Sequence, residues 1–468
     1  MFIYRLRNIE SLLDTFQELE KQEIYFASNS EMNDPMEGFR DIFWLGDQIL
    51  WTNFIKHYYF NLFWTLSVSN EMEYEKIPIL LSREINQLPF EEETLERIPY
   101  SYLAEIYPKS ENSFINRKHI QEALNFLKKW KKRIRRDILE PVLHLVHSNA
   151  YDQIVSTFKE FEFLPELTAV LPKDFPNLEI RDLINEFQKD KEPNDKVYRN
   201  LFRIEKDKLN GLHLELLHQA NYRSRKDSQE VSPFPVFEFP LDYLRKIEKI
   251  VYPEWYAACF LSSCRSSSAW GHYANGHKGV CLKFKLNRNK RQLHLALKEE
   301  HSYTKEHLFP FHKVSYTGKY PKIDFFRSMA KIPIHQLISQ WYADEKLNRS
   351  KRASELLANN DKWAKAYWNR FIESLNTKLS HWKHEKEYRL IQLEQRGPIE
   401  RKMKYRFQDL DGIIFGLRTS KENKLRVIEI IDQKCREQER HDFSFYQAYY
   451  SEKSGNIEYY KLNKIQVG

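Results

Sequence analysis

The sequence predicts an α+β fold whose small, split core of mixed or antiparallel strands carries a large helical insertion. The chain begins with a strand, a helix and a second strand. A long stretch of helical character follows, in which Gly211 is the only glycine between residues 47 and 222. Short strand-like segments return from about residue 252. Strands and helices that are segregated along a chain in this way favour an α+β architecture.

Three parts are expected along the 468 residues. Residues 1–45 and 245–440 are predicted to form a discontinuous α+β core domain. Residues 46–230 are predicted to form the helical insertion, and residues 441–468 a C-terminal segment. A length of about 150 residues per domain indicates about three domains, or one domain with large insertions.

The first forty residues predict the start of the core. Phe2–Leu6 is short and apolar at alternate positions, which predicts a strand. Apolar residues at helical spacing between Ile9 and Leu19 predict a helix, and Glu23–Ala27 is rich in strand-forming residues. Ser28–Pro35 predicts a loop, because its side chains bond locally and proline lacks an N–H group.

The insertion contains a basic helical segment. Asn116–Glu140 has one apolar face and predicts a single helix, much of whose remaining surface is lysine and arginine. A nucleic acid could bind there through its phosphates, although a charged helix face is commonly just solvated. The candidate contacts are Lys128, Lys132, Arg133 and Arg136. Proline-rich Ser224–Pro240 predicts an extended connector.

The second half of the chain predicts further strands around another helical piece, about Phe325–Lys378. Each strand is a short run rich in β-branched, aromatic or alternating apolar residues. The predicted strands are Ala257–Ser262, Gly279–Leu286, Lys313–Tyr316, Glu387–Leu393 and Gly412–Phe415.

Composition excludes several classes of protein. The net charge of +8, with 30% charged and 41% hydrophobic residues, excludes an acidic disordered tail and a membrane protein. Four cysteines indicate a reducing compartment, so we expect a cytoplasmic protein with no membrane partner. The motifs of P-loop NTPases, Rossmann dehydrogenases, zincins and α/β-hydrolases are absent from the sequence.

A polar cluster at residues 262–279 is the first candidate site. It combines Ser262, Trp270, His272, Tyr273 and His277 with three of the twelve glycines. Glycines permit close backbone approach to a ligand, while histidine and tyrosine supply proton transfer and hydrogen bonding. The alternative is a hairpin connection with capping polar residues. A zinc site is disfavoured, because the cysteine and histidine spacing fits no common zinc pattern.

A carboxylate pair at the start of a predicted strand is the second candidate. Period-two geometry places Glu385 and Glu387 on one face. Paired carboxylates stabilise the oxocarbenium-like centre of glycosyl transfer. The alternative is a solvated strand edge with salt bridges to Lys386 and Arg389.

Three separated motifs together resemble a bacterial family, domain of unknown function 2971. They are Tyr4-Arg5 through Asn33-Asp34-Pro35, then Trp270–Gly279, and last Glu385–Arg389; Gly412–Gly416 is similar to a late strand of that family. The resemblance covers about residues 1–45 and 250–440, and it implies no activity.

A second resemblance is to ADP-ribosyltransferases, through Arg5, Ser262 and Glu385-x-Glu387. It implies that NAD⁺ binds in a split cleft, with Arg5 on the pyrophosphate and Tyr273 or Trp270 on the nicotinamide. Glu387 would hold the ribose, and Glu385 or His272 would activate the acceptor. The implied catalytic residues are Glu387, Glu385, His272 and Tyr273. The implied substrate-binding residues are Arg5, Asn33, Asp34, Ser262, Trp270, His277 and Arg389, with no metal.

These resemblances imply a toxin-like or phage-defence effector that acts on a nucleotide substrate, with NAD as co-substrate and a nucleic acid or protein as acceptor. A neighbouring component of the same system is an expected partner. Two alternatives stay open. One is an NAD hydrolase, and the other is a non-catalytic module that binds nucleic acid or protein.

Overall fold

The computed structural model describes most of the chain. The described residues are 1–34, 36–68, 77–81, 83, 100–162, 177–227, 237–286, 291–299, 302–352, 354, 358–393, 397 and 399–465. They divide into two compact units. We call residues 1–40, 253–321 and 369–468 the core unit, and residues 41–252 and 322–368 the helical unit.

The strands are short, and most of them belong to the core unit. In chain order they are β1 (Phe2–Arg7), β2 (Glu23–Tyr25), β3 (Asp41–Phe43), β4 (Trp255–Leu261), β5 (Val280–Lys285), β6 (Gln292–Glu299), β7 (Ser302–Tyr303), β8 (His307–Pro310), β9 (His312–Lys313), β10 (Ser315–Thr317), β11 (Lys322–Asp324), β12 (Thr377–Leu379), β13 (Glu387–Leu393), β14 (Lys402–Tyr405), β15 (Leu410–Phe415), β16 (Ser444–Ser451) and β17 (Asn456–Lys461).

The longer helices belong mainly to the helical unit. In chain order the α-helices are α1 (Glu18–Lys21), α2 (Gln48–Val68), α3 (Tyr100–Ile115), α4 (Lys118–Lys129), α5 (Arg136–Glu160), α6 (Asn177–Lys189), α7 (Asp195–Asp227), α8 (Phe239–Ile247), α9 (Ser267–Tyr273), α10 (Ile334–Gln336), α11 (Asn360–Leu375) and α12 (Lys421–Glu437). None of the described helices is both long enough and apolar enough to cross a membrane.

The core unit is built on a mixed sheet with the strand order β17-β16-β15-β5-β1-β4-β13-β9. Only β15 and β16 run parallel among the paired strands of this sheet; the other described pairs are antiparallel. A smaller antiparallel sheet has the order β2-β14-β6-β7, with β8 also paired to β6. The predicted α+β class is therefore confirmed.

The two sheets of the core unit share one apolar core. Ile3, Phe260 and Phe284 from the large sheet pack with Leu295 and Met403 from the small sheet. Alternate residues on each strand face this core, since side chains in a strand alternate between faces. The opposite face of the large sheet carries a second cluster around Trp270 and Ile414.

The helical unit buries aromatic side chains at high density. Almost every residue of α2 is buried, and Trp51, Phe54 and Tyr58 make edge-on ring contacts with their neighbours. Such edge-to-face pairs stabilise a core beyond the area that they bury. The short parallel pair β3–β11 also belongs to this unit.

Six predicted strands are confirmed with boundaries shifted by two residues or fewer: β1, β2, β4, β5, β13 and β15. The predicted helix between Ile9 and Leu19 is wrong as one element. A π-helical turn at Glu10–Thr15 and the short α1 replace it, because Gln17 takes a left-handed conformation with φ of 53°. Lys313–Tyr316 is divided between β9 and β10.

The single helix predicted over Asn116–Glu140 is also wrong. α4 ends at Lys129 and α5 begins at Arg136, with Ile134 paired to Trp44 in an isolated bridge between them. Residues 224–227 of the predicted connector are helical, while residues 228–236 and Pro35 lie outside the described residues.

Two other predicted boundaries differ from the structure. Residues 441–468 were expected to form a separate segment, yet β16 and β17 extend the large sheet of the core unit. The C-terminal residues join the core unit because β16 forms hydrogen bonds with β15 in a parallel pair, and β17 then pairs with β16. Residues 322–368, which were expected in the core, belong to the helical unit.

Candidate functional site

The large sheet of the core unit is split between β1 and β4. Within the described part of the chain, these strands pair at a single position, Tyr4 with Leu261. By contrast, β1 pairs with β5 over six positions and β4 with β13 over seven. Beyond Tyr4, β1 and β4 diverge, and the gap opens a cavity of about 180 Å³.

The cavity is lined from β1, β2, β4, α9, β12 and the loop after β2. Its lining residues are Arg5, Leu6, Arg7, Tyr25, Ala27, Glu31, Met32, Asn33, Glu37, Ala257, Ala258, Cys259, Tyr273 and Lys378. Segments distant in the sequence therefore meet at the split, as the predicted cleft requires.

Arg5 lies in the wall of this cavity as a buried cation. It is 7% exposed, and its guanidinium stands 5.2 Å from the centre of the Phe260 ring. It donates long hydrogen bonds to the carbonyl oxygens of Cys259, at 3.5 Å, and of Tyr25, at 3.4 Å. No carboxylate among the described residues forms an ion pair with Arg5. Burial lowers the pKa of Arg5 to about 10.

The other charged groups of the lining have charged partners. Arg7 donates to Glu18 at 2.6 Å through Nε. Glu31 accepts from Arg401 at 2.7 Å, and the pKa of Glu31 falls to about 2, because hydrogen bonds from Ser28, Tyr25 and Arg401 outweigh the effect of burial. Among the described residues, Arg5 is thus the charged side chain of the cavity wall that forms no ion pair.

A buried network of five charged side chains adjoins the cavity. Lys378 Nζ lies 2.8 Å from Glu385, 3.3 Å from Glu387 and 3.5 Å from Glu37. Arg389 binds Glu387 at 2.8 Å through Nε and Glu37 at 2.7 Å through Nη2. Each of the five side chains is at most 4% exposed. Of these residues, Glu37 and Lys378 line the cavity.

The neighbours of each carboxyl group in this network determine whether that group holds a proton. Burial raises the pKa of Glu387, but Arg389 and Lys378 outweigh it and lower the pKa to about 2. Burial raises the pKa of Glu37, and neighbouring Glu387 adds to the effect. Three carboxylates and two cations carry a net charge of −1, and a proton on Glu37 would neutralise the network.

Glu385 and Glu387 both reach Lys378, but the backbone that positions them differs from the strand that the sequence predicted. Glu385 ends a 3₁₀ turn, Ser380–Glu385, and is not part of the strand. Lys386 then adopts a left-handed conformation with φ of 49°, and β13 begins at Glu387. The period-two argument for one shared face is therefore wrong, although both carboxylates still reach Lys378.

Tyr273 connects the carboxylate network with the cavity. Its hydroxyl donates to Glu385 at 2.6 Å, and its side chain lines the cavity. Burial and the two carboxylates raise the pKa of Tyr273, so the phenol stays protonated. Burial likewise raises the pKa of Cys259, which therefore lines the cavity as a neutral thiol and not as a nucleophile.

Some predicted site residues do not line the cavity. Trp270 is fully buried and donates to the Cys264 carbonyl at 2.7 Å, so it cannot stack on a ligand. His277 stacks on Trp270, with ring centres 6.3 Å apart. His272 is exposed beside Trp382, and the Ser262 amide donates to Lys386.

Asn33 lines the cavity, whereas Asp34 is buried and accepts from the Met36 amide at 2.9 Å. Arg389 is fully buried in the network and so does not contact the cavity. Sequence reasoning missed Glu37 and Lys378. Glu37 follows the Asn33-Asp34 motif by three residues, which was a usable signal. Lys378 is an isolated lysine, and no pattern marks it.

The basic residues predicted to contact nucleic acid have partners inside the helical unit. They do not share one helix, since α4 ends before Lys132. Lys128 bonds Gln48 at 2.8 Å, Lys132 pairs with Asp195, Arg133 lies 4.6 Å from the Phe43 ring centre, and Arg136 bonds Glu248 at 2.8 Å. These pairings reduce the positive charge that is offered to phosphates.

Among the described residues, no group of three or more His, Cys, Asp or Glu side chains is placed to hold a metal ion. Cys264 and Cys281 are buried in the second apolar cluster, where they pack as small apolar side chains.

Comparison with known proteins yields one match. Residues 269–390 match the model of a family described as a protein of unknown function (DUF2971). No curated protein and no solved structure matches the chain. The matched segment includes Tyr273, Lys378 and Glu385–Arg389 but not β1 or Asn33. The ADP-ribosyltransferase resemblance is not among these findings and stays a prediction. The part of the chain from α9 through the carboxylate network thus resembles DUF2971, as the sequence predicted.

Proposed function

We propose that the core unit binds a small phosphate-bearing molecule in the split between β1 and β4, with the phosphate on Arg5. The supporting observation is a buried guanidinium at a cavity wall that forms no ion pair with a carboxylate in the described part of the chain. A buried charge is costly unless it is paired. The planar guanidinium fork matches the oxygens of a phosphate. An anionic ligand would supply the missing partner.

The size of the cavity limits what it can hold. Small-molecule sites commonly have a volume of about 300–1,000 Å³, whereas this cavity has about 180 Å³. It therefore accommodates one portion of a nucleotide, such as a phosphate with its ribose, and not a whole dinucleotide. NAD⁺ would place its remaining portion outside the cavity.

NAD⁺ is the substrate that we propose, and glycosyl transfer is the reaction. The bond between ribose and nicotinamide breaks, and its electron pair leaves with nicotinamide. The acceptor then bonds to the ribose carbon and loses its proton. Glu37 and Tyr273 line the cavity, and Tyr273 donates to Glu385 behind it. In its ionised form, Glu37 places negative charge where a positive ribose develops. Glu387 supports them by holding Lys378 and Arg389 in place.

Calorimetric titration of the full-length chain with NAD⁺, ADP-ribose and pyrophosphate tests the binding step. We expect Arg5→Met to weaken all three at least tenfold, since a charged hydrogen bond to phosphate is lost. Arg265→Met is the control, because Arg265 is exposed in the same unit. Stability should change by less than about 1 kcal/mol in Arg5→Met, because two long hydrogen bonds and the contact with the Phe260 ring are lost while a buried charge that is unpaired among the described residues is removed. Equal binding by both variants would refute the proposal.

Release of nicotinamide tests the reaction separately. ADP-ribose attached to a macromolecule would indicate a transferase, and free ADP-ribose would indicate the hydrolase alternative. Intact NAD⁺ in the presence of candidate acceptors would exclude both reactions and leave a binding module.

The role as a toxin-like or defence effector is part of the same proposal, and it rests on the kind of family that the sequence resembles. Induced expression of the wild-type chain should arrest bacterial growth, and expression of Arg5→Met should not. Equal growth with both chains would contradict this role.

A further inference from the structure

The helical unit contains a second and larger cavity, of about 380 Å³, formed by α5, α7 and α8 with the residues before α8. It is lined by Glu140, His144, Leu209, Asn210, His213, Phe237, Glu238, Leu241, Asp242 and Arg245. Its volume falls within the usual range of small-molecule sites.

His144 is the first pointer to a ligand in this cavity. The side chain is 6% exposed, and its Nδ1 atom is buried without a hydrogen-bond partner among the described residues. Buried polar atoms in folded proteins nearly always have such a partner. Burial lowers the pKa of His144 to about 3, so the imidazole is neutral and can accept a hydrogen bond.

Glu238 supplies negative charge to the same cavity. Glu140 pairs with Lys206 at 2.8 Å and Asp242 with Lys246 at 2.7 Å, so these two carboxylates are compensated. Among the described residues, Glu238 has only the His213 ring as an ion-pair partner, at 3.1 Å. Arg245 also lines the cavity, but it is exposed, so water and salt screen its charge.

Three side chains form the apolar part of the lining. Leu209, Phe237 and Leu241 line the cavity, and the rings of Phe237 and His213 lie nearly parallel, with centres 6.3 Å apart. A hydrocarbon segment of a ligand would be desolvated against these side chains, which favours binding.

We propose that this cavity binds a small organic cation whose ammonium group donates to Glu238 and to Nδ1 of His144. The hydrocarbon portion of the cation packs against Leu209, Phe237 and Leu241. An ammonium group supplies several donors and a positive charge. One ammonium group can therefore donate a hydrogen bond to Nδ1 of His144 and also compensate the negative charge of Glu238. This site is independent of the nucleotide site proposed for the core unit.

Calorimetric titration of the full-length chain with putrescine and agmatine tests the proposal. We expect saturable binding that His144→Leu and Glu238→Gln each weaken about tenfold or more. Glu160→Gln is the control, since Glu160 is exposed near the end of α5 and its substitution removes the same charge. Arg5→Met should leave this binding unchanged, which separates it from the nucleotide site.

Thermal unfolding of each variant checks that the fold is retained. His144→Leu removes a polar atom without a partner, and Glu238 is 34% exposed, so both variants should fold. Three results would overturn the proposal. They are no saturable binding of either cation at millimolar concentration, binding by the two cavity variants that equals that of the wild-type chain, and binding of an anionic probe such as citrate that His144→Leu abolishes.

Discussion

The substitution Glu387→Gln tests whether the charge of Glu387 stabilises the buried network by compensating Lys378 and Arg389. Glutamine retains the shape of glutamate but replaces one accepting oxygen with an amide donor, and it removes the charge that faces Arg389 and Lys378. Glu387 is 3% exposed and is bound to Arg389 at 2.8 Å and 3.3 Å. Losing one charge of a buried, paired group is strongly destabilising, because its partners stay buried without compensation.

The expected loss of stability can be worked out from the lowered pKa of Glu387. The pKa of Glu387 falls from 4.5 to about 2, which corresponds to about 3 kcal/mol of stability at neutral pH. A lowered carboxylate pKa stabilises the folded state above pH 4.5, and this stabilisation is lost as the pH falls from there through about 2. We expect Glu387→Gln to cost up to about 3 kcal/mol at pH 7 and about 1 kcal/mol less at pH 4, where most of the stabilisation remains. Glu37 moderates the cost, since removing Glu387 favours the ionised form of Glu37.

Hydrogen exchange at the amides of β4 and β13 is the assay, because a chain of two units need not unfold in one step. Opening free energies at pH 7 and pH 4 are compared between the wild-type chain and the variant. Glu452→Gln is the control, because Glu452 is exposed in the same unit. A loss below about 0.5 kcal/mol in Glu387→Gln at pH 7, equal to the control, would refute the network role.

Three further substitutions have expected outcomes. Gly279→Ala should prevent folding of the core unit, since an added Cβ would lie 2.1 Å from the Arg7 carbonyl oxygen. Soluble yield and circular dichroism measure folding of this variant, and a normally folded variant would contradict the prediction. Trp270→Ala should cost about 3–5 kcal/mol in denaturant unfolding, because it empties a fully buried site; a loss under 1 kcal/mol would contradict the packing. Lys132→Ala should cost less than about 1 kcal/mol, as its ion pair with Asp195 involves a side chain that is 75% exposed. A loss above 2 kcal/mol in the same unfolding assay would contradict that estimate.

Strand patterns in the sequence predicted much of the large sheet, because β1, β4, β5, β13 and β15 alternate or concentrate apolar residues over a short span. Other strands escaped prediction. β6 and β14 contain several charged residues, and β16 is rich in polar and aromatic residues. Their pairing depends on neighbours that are distant in the sequence.

Helix boundaries were harder to predict for a local reason. The apolar spacing continues from α4 into α5, so periodicity alone indicates one helix. The bridge between Ile134 and Trp44, far apart along the chain, accompanies the break. Tertiary contacts of this kind commonly override helix propensity.

In the candidate site, too, some features are determined by the sequence and others by tertiary contacts. The sequence by itself determined which residue types were available: an arginine inside the first apolar strand, a tyrosine beside histidines, and a Glu-x-Glu motif before a strand. Only the tertiary structure decided that Arg5 has no carboxylate partner among the described residues and that Glu387 has two cationic ones. The physical reason is that burial and charge pairing depend on side chains such as Lys378, which folding brings close to Glu37 from more than 300 residues away.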